Sequence, residues 1–283
     1  MPMTERKIPA RVFAHAAQDA ATAKNTQTTP QTSSPSYKLA FQDDAFLLRD
    51  DLRPVRFQLE LLKPELLLDE AKIASTLVFY GSARIPAPGV ASAHPDPDVA
   101  KRLEALSPYY EEARKLAQIA SRVPRDDAGW RHLVVCSGGG PSIMEAANRG
   151  ADDVKADSIG LNIVLPHEQV PNPYVTPELS FQFHYFALRK MHFLLRARGV
   201  AVFPGGFGTF DEMFELLTLI QTGKIKPIPV LLFGREFWED VVDFQSLVRH
   251  GVIAERDLEL FRYVDSAEEA WDCLRRFYED DAA

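Results

Sequence analysis

From residue 75 onward, short apolar runs alternate regularly with longer segments of helical pattern, and this alternation constrains the fold most. The apolar runs, rich in Val, Ile, Leu and Phe, lie at 75–80, 132–136, 158–164, 181–184, 199–203, 228–233 and 261–264. Helices are expected at 99–121, 141–152, 185–197, 209–222, 236–249 and 266–278. Apolar strands separated by helices are typical of a parallel sheet covered on both faces. The pattern therefore predicts an α/β fold with a doubly wound, mostly parallel sheet and helices on both faces.

Three regions are expected along the chain. Residues 1–36 are poor in large apolar side chains and contain the polar stretch "KNTQTTPQTSSPS", so they are expected to form a disordered tail. An interpretation of the alanine-rich residues 10–24 as a presequence stays open. Residues 37–74 mix apolar and charged residues at helical spacing, which predicts a helical extension packed on the core and interrupted by Pro54 and Pro64. Residues 75–283 then form the sheet domain.

Charge and cysteine content exclude several classes of protein. The formal net charge is −8 and the pI is about 5.4, which disfavours a nucleic-acid or membrane-surface binder. The two cysteines, Cys136 and Cys273, lie far apart without metal-ligand spacing, as is usual in a reducing compartment. No apolar run reaches the roughly 18 residues of a membrane span. The expected location is therefore the cytoplasm.

Three of the predicted strands end in glycine-rich loops, "GSAR" (81–84), "SGGGPS" (137–142) and "PGGFGT" (204–209). A glycine turn that enters a helix presents backbone N–H groups and the positive end of the helix dipole, which together attract an anion such as phosphate. Glycine is needed in such a turn because a Cβ would block the close approach of the ligand and the positive φ angles. Neither GxxxxGK[ST] nor GxGxxG is present, so a P-loop NTPase or an ordinary NAD-binding protein is not supported. Tight turns without a ligand remain the alternative.

Glu212 has two possible roles on pattern alone. The run Thr209-Phe210-Asp211-Glu212 fits a capping box, in which a glutamate satisfies a backbone N–H at a helix start, and Ser142 with Glu145 fits the same pattern. A catalytic carboxylate at the end of a glycine loop is the other interpretation. Glu215, one helical turn on, either shares the face of Glu212 or is structural.

Positive charge near these loops comes from the predicted helix at 185–197. Arg189, Phe193 and Arg196 fall on one side of this helix, which is otherwise apolar and aromatic. A solvated basic face is one interpretation. The other is that Arg189 is covered, in which case it needs an anionic partner.

Read together, "PGGFGTFDE", "LRKMHF", "GSAR" and "GGGPSIMEAANRGA" resemble the LONELY GUY (LOG) family of cytokinin riboside 5′-monophosphate phosphoribohydrolases. They also resemble the larger bacterial nucleotide 5′-monophosphate nucleosidases, which often carry the label lysine decarboxylase. The resemblance covers roughly residues 75–250. It implies a Rossmann-like fold, a homodimer or higher homo-oligomer, and no metal or organic cofactor.

The resemblance also implies the reaction and the residues that perform it. The N-glycosidic bond of a nucleoside 5′-monophosphate, AMP or a cytokinin riboside monophosphate, would be hydrolysed to free base and ribose 5-phosphate. Arg189 and Glu212 match the catalytic pair of the family, with Glu212 acting either as a base or as an electrostatic stabiliser. The expected substrate-binding residues are Gly81, Ser82, Gly139, Gly140, Lys190, Gly205, Gly206, Gly208 and Thr209.

Two other functions compete with hydrolysis. A protein of the same fold could bind or carry a phosphorylated ligand without reaction, although it would not need the Arg189–Glu212 pair. A pyridoxal-phosphate decarboxylase would need a Schiff-base lysine, for which the sequence offers no motif. The preferred base is not predicted.

Overall fold

The computed structural model describes residues 15–166 and 170–280, and the chain forms two compact units, Met1–Leu59 and Glu60–Ala283. The part of the predicted tail at residues 1–14 lies outside the described residues. Within the rest of it, Ala16–Lys24 forms helix α1. The expected disorder of the tail and the packing of residues 37–74 on the core stay predictions.

All seven strands of the sheet described in the second unit are parallel. Their order across the sheet is β4-β3-β2-β1-β5-β6-β7, so the direction of winding reverses between β1 and β5. The strands are β1 (Thr76–Tyr80), β2 (Val134–Ser137), β3 (Ser158–Ile163), β4 (Ser180–Phe183), β5 (Ala197–Val202), β6 (Val230–Phe233) and β7 (Arg262–Val264). The predicted doubly wound α/β fold is confirmed, and it is Rossmann-like.

Helices precede, separate and follow these strands. They are α2 (Asp44–Leu47), α3 (Arg53–Glu70), α4 (Pro97–Ala105), α5 (Pro108–Ala120), α6 (Ile143–Asp153), α7 (Phe186–Leu195), α8 (Phe207–Gln221), α9 (Arg235–Val241), α10 (Phe244–Arg249) and α11 (Ala267–Asp280). Within residues 15–166 and 170–280, no helix is both long and apolar enough to cross a membrane.

Successive side chains of β1 enter the cores on opposite faces of the sheet, as the strand geometry requires. Val78 and Tyr80 pack in one cluster with residues of α7, α8 and α9. Leu77 and Phe79 pack in the other with residues of α5, α6 and α11. All four are almost fully buried, which explains why the central strands read as continuous apolar runs rather than alternating ones.

Two of the expected helices are each divided in the structure. The segment 99–121 forms α4 and α5, because Pro108 lacks an N–H and takes the first position of a new helix. The segment 236–249 forms α9 and α10, because the Asp243 side chain accepts a hydrogen bond from the N–H of Ser246 at 2.8 Å and starts a second helix. Both predictions of a single helix were wrong.

The expected interruptions of α3 at two prolines were also wrong. Pro54 lies in the first turn, where its missing N–H has no helical acceptor in any case. Pro64 lies in the interior and leaves the carbonyl of Glu60 without its usual helical donor. Nε2 of His192 donates to that carbonyl at 3.1 Å instead. The helix therefore continues because a side chain on α7 replaces the missing N–H.

Candidate active site

The candidate site lies where β1 and β5 end side by side. Tyr80 and Val202 are paired in register, so the loops after these strands start at the same level of the sheet. In open parallel sheets, ligands bind outside the carboxyl ends of the strands at the point where the winding reverses. The loops that follow β1 and β5 flank that point here.

A cavity of about 790 Å³ opens at this point. Its volume falls in the range typical of small-molecule sites, roughly 300–1,000 Å³. It is lined by residues 81–84, Met144, Arg189, residues 206–210, Glu212 and Val241. Seven residues predicted from the sequence are thus brought together: Gly81, Ser82, Arg189, Gly206, Gly208, Thr209 and Glu212.

Backbone hydrogen bonds hold the three glycine loops against one another. The N–H of Ser82 donates to the carbonyl of Pro204 at 3.0 Å, and the N–H of Ile143 donates to the carbonyl of Ser82 at 3.4 Å. A Cβ at Gly81 would lie 2.6 Å from the Ile143 side chain. The glycine of the first loop is therefore needed for packing against α6, and the loops form one wall.

The glycines of the "PGGFGT" loop have different reasons to be glycine. A Cβ at Gly205 would collide with Oγ1 of Thr209. At Gly206 and Gly208 an added Cβ would meet no protein atom within 4 Å, and their φ angles are not positive. The expectation that positive φ requires these glycines was therefore wrong. Both line the cavity, so their missing side chains leave the backbone open to that space.

The start of α8 excludes the capping role considered for Glu212. The helix begins at Phe207, with Gly206 as its N-cap and no side-chain cap. Thr209 is thus already inside the first turn, and Glu212 lies too far along the helix to satisfy its start. The first N–H groups of an α-helix have no intrahelical acceptor. Those of α8 lie on residues that line the cavity.

The second candidate capping box also does not form. Ser142 precedes α6 but makes no side-chain cap, and its Oγ donates to the carbonyl of Ile85. Glu145 accepts a hydrogen bond from the hydroxyl of Tyr110 at 2.8 Å. Both side chains therefore connect elements of the fold.

Arg189 and Glu212 lie side by side on the wall of the cavity. Nη1 of Arg189 lies 3.5 Å from Oε1 of Glu212, and only 12% and 15% of the two side chains are exposed. Nε of Arg189 donates to the carbonyl of Leu161 at 2.6 Å, and its guanidinium lies 5.1 Å from the ring centre of Phe193. The arginine is thus held by β3 and by its own helix, and it needs the anionic partner that the sequence predicted.

Burial dominates the electrostatics of this pair. It raises the pKa of Glu212 to about 7, although the positive charge of Arg189 acts in the opposite direction. Burial likewise lowers the pKa of Arg189, and the charge of Glu212 opposes this. Near neutral pH, both the protonated and the ionised form of Glu212 are therefore populated.

Gly138 makes room for the arginine and was missed in the sequence. A Cβ there would lie 2.6 Å from Nη2 of Arg189 and 2.8 Å from the sulfur of Met144. The "SGGGPS" loop thus serves the site through its first glycine, which leaves the space that the guanidinium occupies. The "SGGGPS" motif contains Gly138, but the sequence alone does not show which of its three adjacent glycines contacts the site.

Gly139 and Gly140 belong to a network of buried amides behind this wall. Nδ2 of Asn172 donates to the carbonyl of Gly139 at 3.1 Å and to that of Gly140 at 3.0 Å. Gly139 has a φ of 72°, which favours glycine. Among the described residues, neither glycine lines the cavity, and neither does Gly205. Their substrate-binding roles stay predictions.

Lys190 is not among the described residues that line the cavity, and its substrate-binding role stays a prediction. Its Nζ is 2.9 Å from carboxylate oxygens of both Asp211 and Glu215, so Glu215 pairs with Lys190. Arg196 likewise pairs with acidic residues of α3, Glu65 and Asp69. The solvated basic face was therefore the wrong alternative, because these cations are mostly covered and paired.

Some of the cavity wall was not predicted from the sequence. Arg84 is exposed on the wall and has no ion-pair partner within residues 15–166 and 170–280. Phe207 is 96% exposed at the first position of α8. Val241 ends α9. The "GSAR" and "PGGFGT" motifs contain the first two, whereas nothing in the sequence around Val241 connects it with the site.

The fold and cavity define a Rossmann-like α/β protein that holds a buried arginine–glutamate pair where the sheet reverses its winding. Over residues 144–274, the chain matches the model of the family described as "possible lysine decarboxylase". The match includes the pair and the whole of the "PGGFGT" loop. It is the family whose label accompanied the resemblance drawn from the sequence.

The chain is also similar to the pyrimidine/purine nucleotide 5′-monophosphate nucleosidase of Escherichia coli strain K12. The two are 32% identical over 116 residues, which cover 38% of this chain and 25% of the relative. The same values hold for the protein of this name from strain O157:H7. The chain thus spans about a quarter of the length of the curated relatives that it matches. These matches confirm the resemblance to the bacterial nucleotide 5′-monophosphate nucleosidases that was drawn from the sequence.

Solved structures with a similar chain course include a structural genomics target, TM1055, at 19% identity and a TM-score of 0.45. The alignment covers 71% of this chain and 99% of that one. Another is the molybdenum cofactor carrier protein of Chlamydomonas reinhardtii, at 16% identity and a TM-score of 0.43. That alignment covers 72% of this chain and 99% of the carrier protein.

Proposed function

We propose that the protein hydrolyses the N-glycosidic bond of a nucleoside 5′-monophosphate to give the free base and ribose 5-phosphate. The observation that carries the proposal is the buried Arg189–Glu212 pair on the wall of a nucleotide-sized cavity, beside the open backbone of Gly206 and Gly208. The name of the E. coli relative supports the same reaction class.

The 5′-phosphate would bind at the start of α8. There, N–H groups without helical acceptors and the positive end of the helix dipole meet a backbone that two glycines leave open. Binding energy gained at the phosphate would position the reacting carbon against the acid. Adenosine should therefore be a much poorer substrate than AMP.

Glu212 would act on the ribose. As the bond from C1′ to the base nitrogen breaks, the base leaves with the electron pair and takes up a proton, and positive charge develops at C1′ and the ring oxygen. Water then adds to C1′ and gives up a proton, so that one water is consumed for each base released. An ionised carboxylate stabilises this charge, or accepts a proton from the water that adds to C1′. Both roles need the ionised form, which a pKa of about 7 makes available at neutral pH. Arg189 keeps that carboxylate oriented.

Release of the base from AMP tests the proposal. The purified chain is incubated with AMP, CMP, GMP, UMP and N6-isopentenyl-AMP, and adenine or the other base is measured by chromatography together with ribose 5-phosphate. Equal amounts of base and ribose 5-phosphate are expected from at least one of the nucleotides. Binding of these nucleotides without release of base would instead indicate a carrier or binding protein.

The description of the family model names a different reaction, decarboxylation of lysine. A pyridoxal band in the absorbance spectrum of the pure protein, together with release of CO₂ from lysine, would favour it. Preference for a cytokinin riboside monophosphate over AMP, a homodimeric or larger assembly and a cytoplasmic location are further parts of our proposal. The nucleotide panel tests the first, light scattering the second and cell fractionation the third.

A further inference from the structure

The cavity wall carries one positive charge that no acidic side chain within residues 15–166 and 170–280 compensates. Three of its side chains are ionisable: Arg84, Arg189 and Glu212. Arg189 faces Glu212 and also donates to the carbonyl of Leu161, so its charge is already partnered. Arg84 has no acidic partner in the part of the chain that the structure describes. With Glu212 ionised, the wall thus keeps a net charge of one, on Arg84.

The backbone that carries Arg84 is fixed although its side chain is exposed. The N–H of Arg84 donates to Oγ of Ser82 at 3.0 Å. The N–H of Ser82 donates to the carbonyl of Pro204, at the entrance to the "PGGFGT" loop. On the other side, the buried Ile85 accepts a hydrogen bond from Ser142 through its carbonyl. The backbone at Arg84 is therefore held beside the cavity by residues on both sides, while its guanidinium is free to move.

The ligand of the proposed reaction brings a phosphate dianion into the cavity. Arg189 is already paired with Glu212 there, which leaves Arg84 as the unpaired arginine of the described wall. Backbone N–H groups at a helix start contribute only partial charge, equivalent to roughly half a unit. A guanidinium contributes a full charge and two parallel N–H donors that match two phosphate oxygens. Arg84 is the residue of the wall with both the charge and the freedom to supply them.

We propose that Arg84 binds the terminal phosphate of the ligand opposite the start of α8, and that it makes the site selective for phosphorylated over unphosphorylated ligands. The proposal rests on the proposed function for the identity of the ligand. It concerns a residue outside the Arg189–Glu212 pair and a step, phosphate binding, that is measurable without turnover.

Ribose 5-phosphate and ribose are suitable probes because neither contains the bond that is hydrolysed. Binding of each to the full chain is measured by titration calorimetry for the wild type, Arg84→Ala, Arg84→Lys and Arg122→Ala. Arg122 is a matched control, an exposed arginine outside the cavity. Thermal unfolding of each variant checks that the fold is retained.

We expect Arg84→Ala to weaken binding of ribose 5-phosphate by about tenfold to a hundredfold, the usual effect of losing a hydrogen-bonded charge. Arg84→Lys should recover part of this loss, and Arg122→Ala should bind like the wild type. Ribose should bind equally weakly to all four proteins. Wild-type binding should also weaken as salt is raised.

Unchanged binding of ribose 5-phosphate by Arg84→Ala would overturn the proposal, as would failure of the wild type to prefer ribose 5-phosphate over ribose. These outcomes are separate from the fate of the proposed function. Arg84-dependent binding without base release from any nucleotide would contradict hydrolysis alone. Base release with phosphate selectivity intact in Arg84→Ala would contradict only the role of Arg84.

Discussion

Nε2 of His192 donates a hydrogen bond to the main-chain carbonyl of Glu60, the carbonyl that Pro64 leaves without a helical donor. Because a carbonyl only accepts, the proton of this imidazole is on Nε2. The carboxylate of Glu60 also accepts hydrogen bonds from the N–H groups of His184, at 2.9 Å, and Tyr185, at 3.2 Å, just before α7. One residue thus binds both ends of the helix that carries the arginine of the site.

This relationship predicts that substitutions at His192 and Pro64 are coupled. His192→Phe should destabilise the second unit by about 1–3 kcal/mol, because it leaves a buried carbonyl without a donor. In a Pro64→Ala background the new N–H of residue 64 can satisfy that carbonyl, so the same substitution should cost about 1 kcal/mol less. Urea unfolding of the four proteins of the cycle measures the difference. Additive costs would show that the imidazole does not replace the missing N–H.

Replacement of the central acid should separate chemistry from binding. Glu212→Gln removes the ionisable group but keeps the shape, so kcat for base release should fall by about 10²–10⁴. Binding of ribose 5-phosphate should remain within a fewfold of wild type. The neighbouring Asp211→Asn, whose carboxylate pairs with Lys190 at an exposed position, should change kcat by less than about threefold. Wild-type turnover by Glu212→Gln would remove the acid from the mechanism.

The same substitution should change how stability depends on pH. The pKa of Glu212 is raised from 4.5 to about 7 in the folded chain, so the folded state holds this proton more tightly than the unfolded state. The resulting stabilisation is complete below pH 4.5 and is lost as the pH rises through about 7. Relative to Glu212→Gln, the wild type should therefore lose about 2 kcal/mol between pH 5 and pH 8. Parallel stability profiles of the two proteins would contradict the raised pKa.

Two glycines of one loop should respond in opposite ways to alanine. Gly208 lies in the first turn of α8 with open space where a Cβ would go, so Gly208→Ala should stabilise the protein by up to about 1 kcal/mol. The added methyl group would project into the cavity and weaken binding of ribose 5-phosphate. Gly205→Ala should instead destabilise the fold, because its Cβ would collide with Thr209. Thermal unfolding and calorimetry on both variants measure the two effects. Unchanged binding by Gly208→Ala would argue against a ligand at this turn.

The sheet could be predicted from the sequence because each central strand is buried on both faces, which leaves a continuous apolar run. The loops of the site followed from the strands, since parallel strands all end at one edge. Helix ends were harder to predict from the sequence, because they depend on side chains such as Asp243 that act as caps only in the folded structure. Continuity of α3 through Pro64 depended on His192, which lies far away in the sequence.

Within the site, the two members of the catalytic candidate pair could be identified from motifs but not from spacing. Arg189 and Glu212 meet because α7 and α8 pack on the same face of the sheet. Lys190 was placed with them by motif, yet adjacent helix residues point about 100° apart, and in the structure it faces Asp211 instead. Arg84 is part of the "GSAR" motif, which drew attention through its glycine. That Arg84 lines the cavity is visible only in the structure.

The two arginines of the cavity differ in how firmly they are held. Arg189 is bound to the backbone of β3 through Leu161 and lies against Phe193, so its position is set before any ligand arrives. Arg84 has a fixed backbone but an exposed side chain with several rotamers available. Ligands that differ in length would thus be accommodated by movement of the Arg84 side chain, while the geometry around the Glu212 carboxylate stays constant. A change of substrate, by evolution or by engineering, would therefore be easiest to begin in the loop after the first strand.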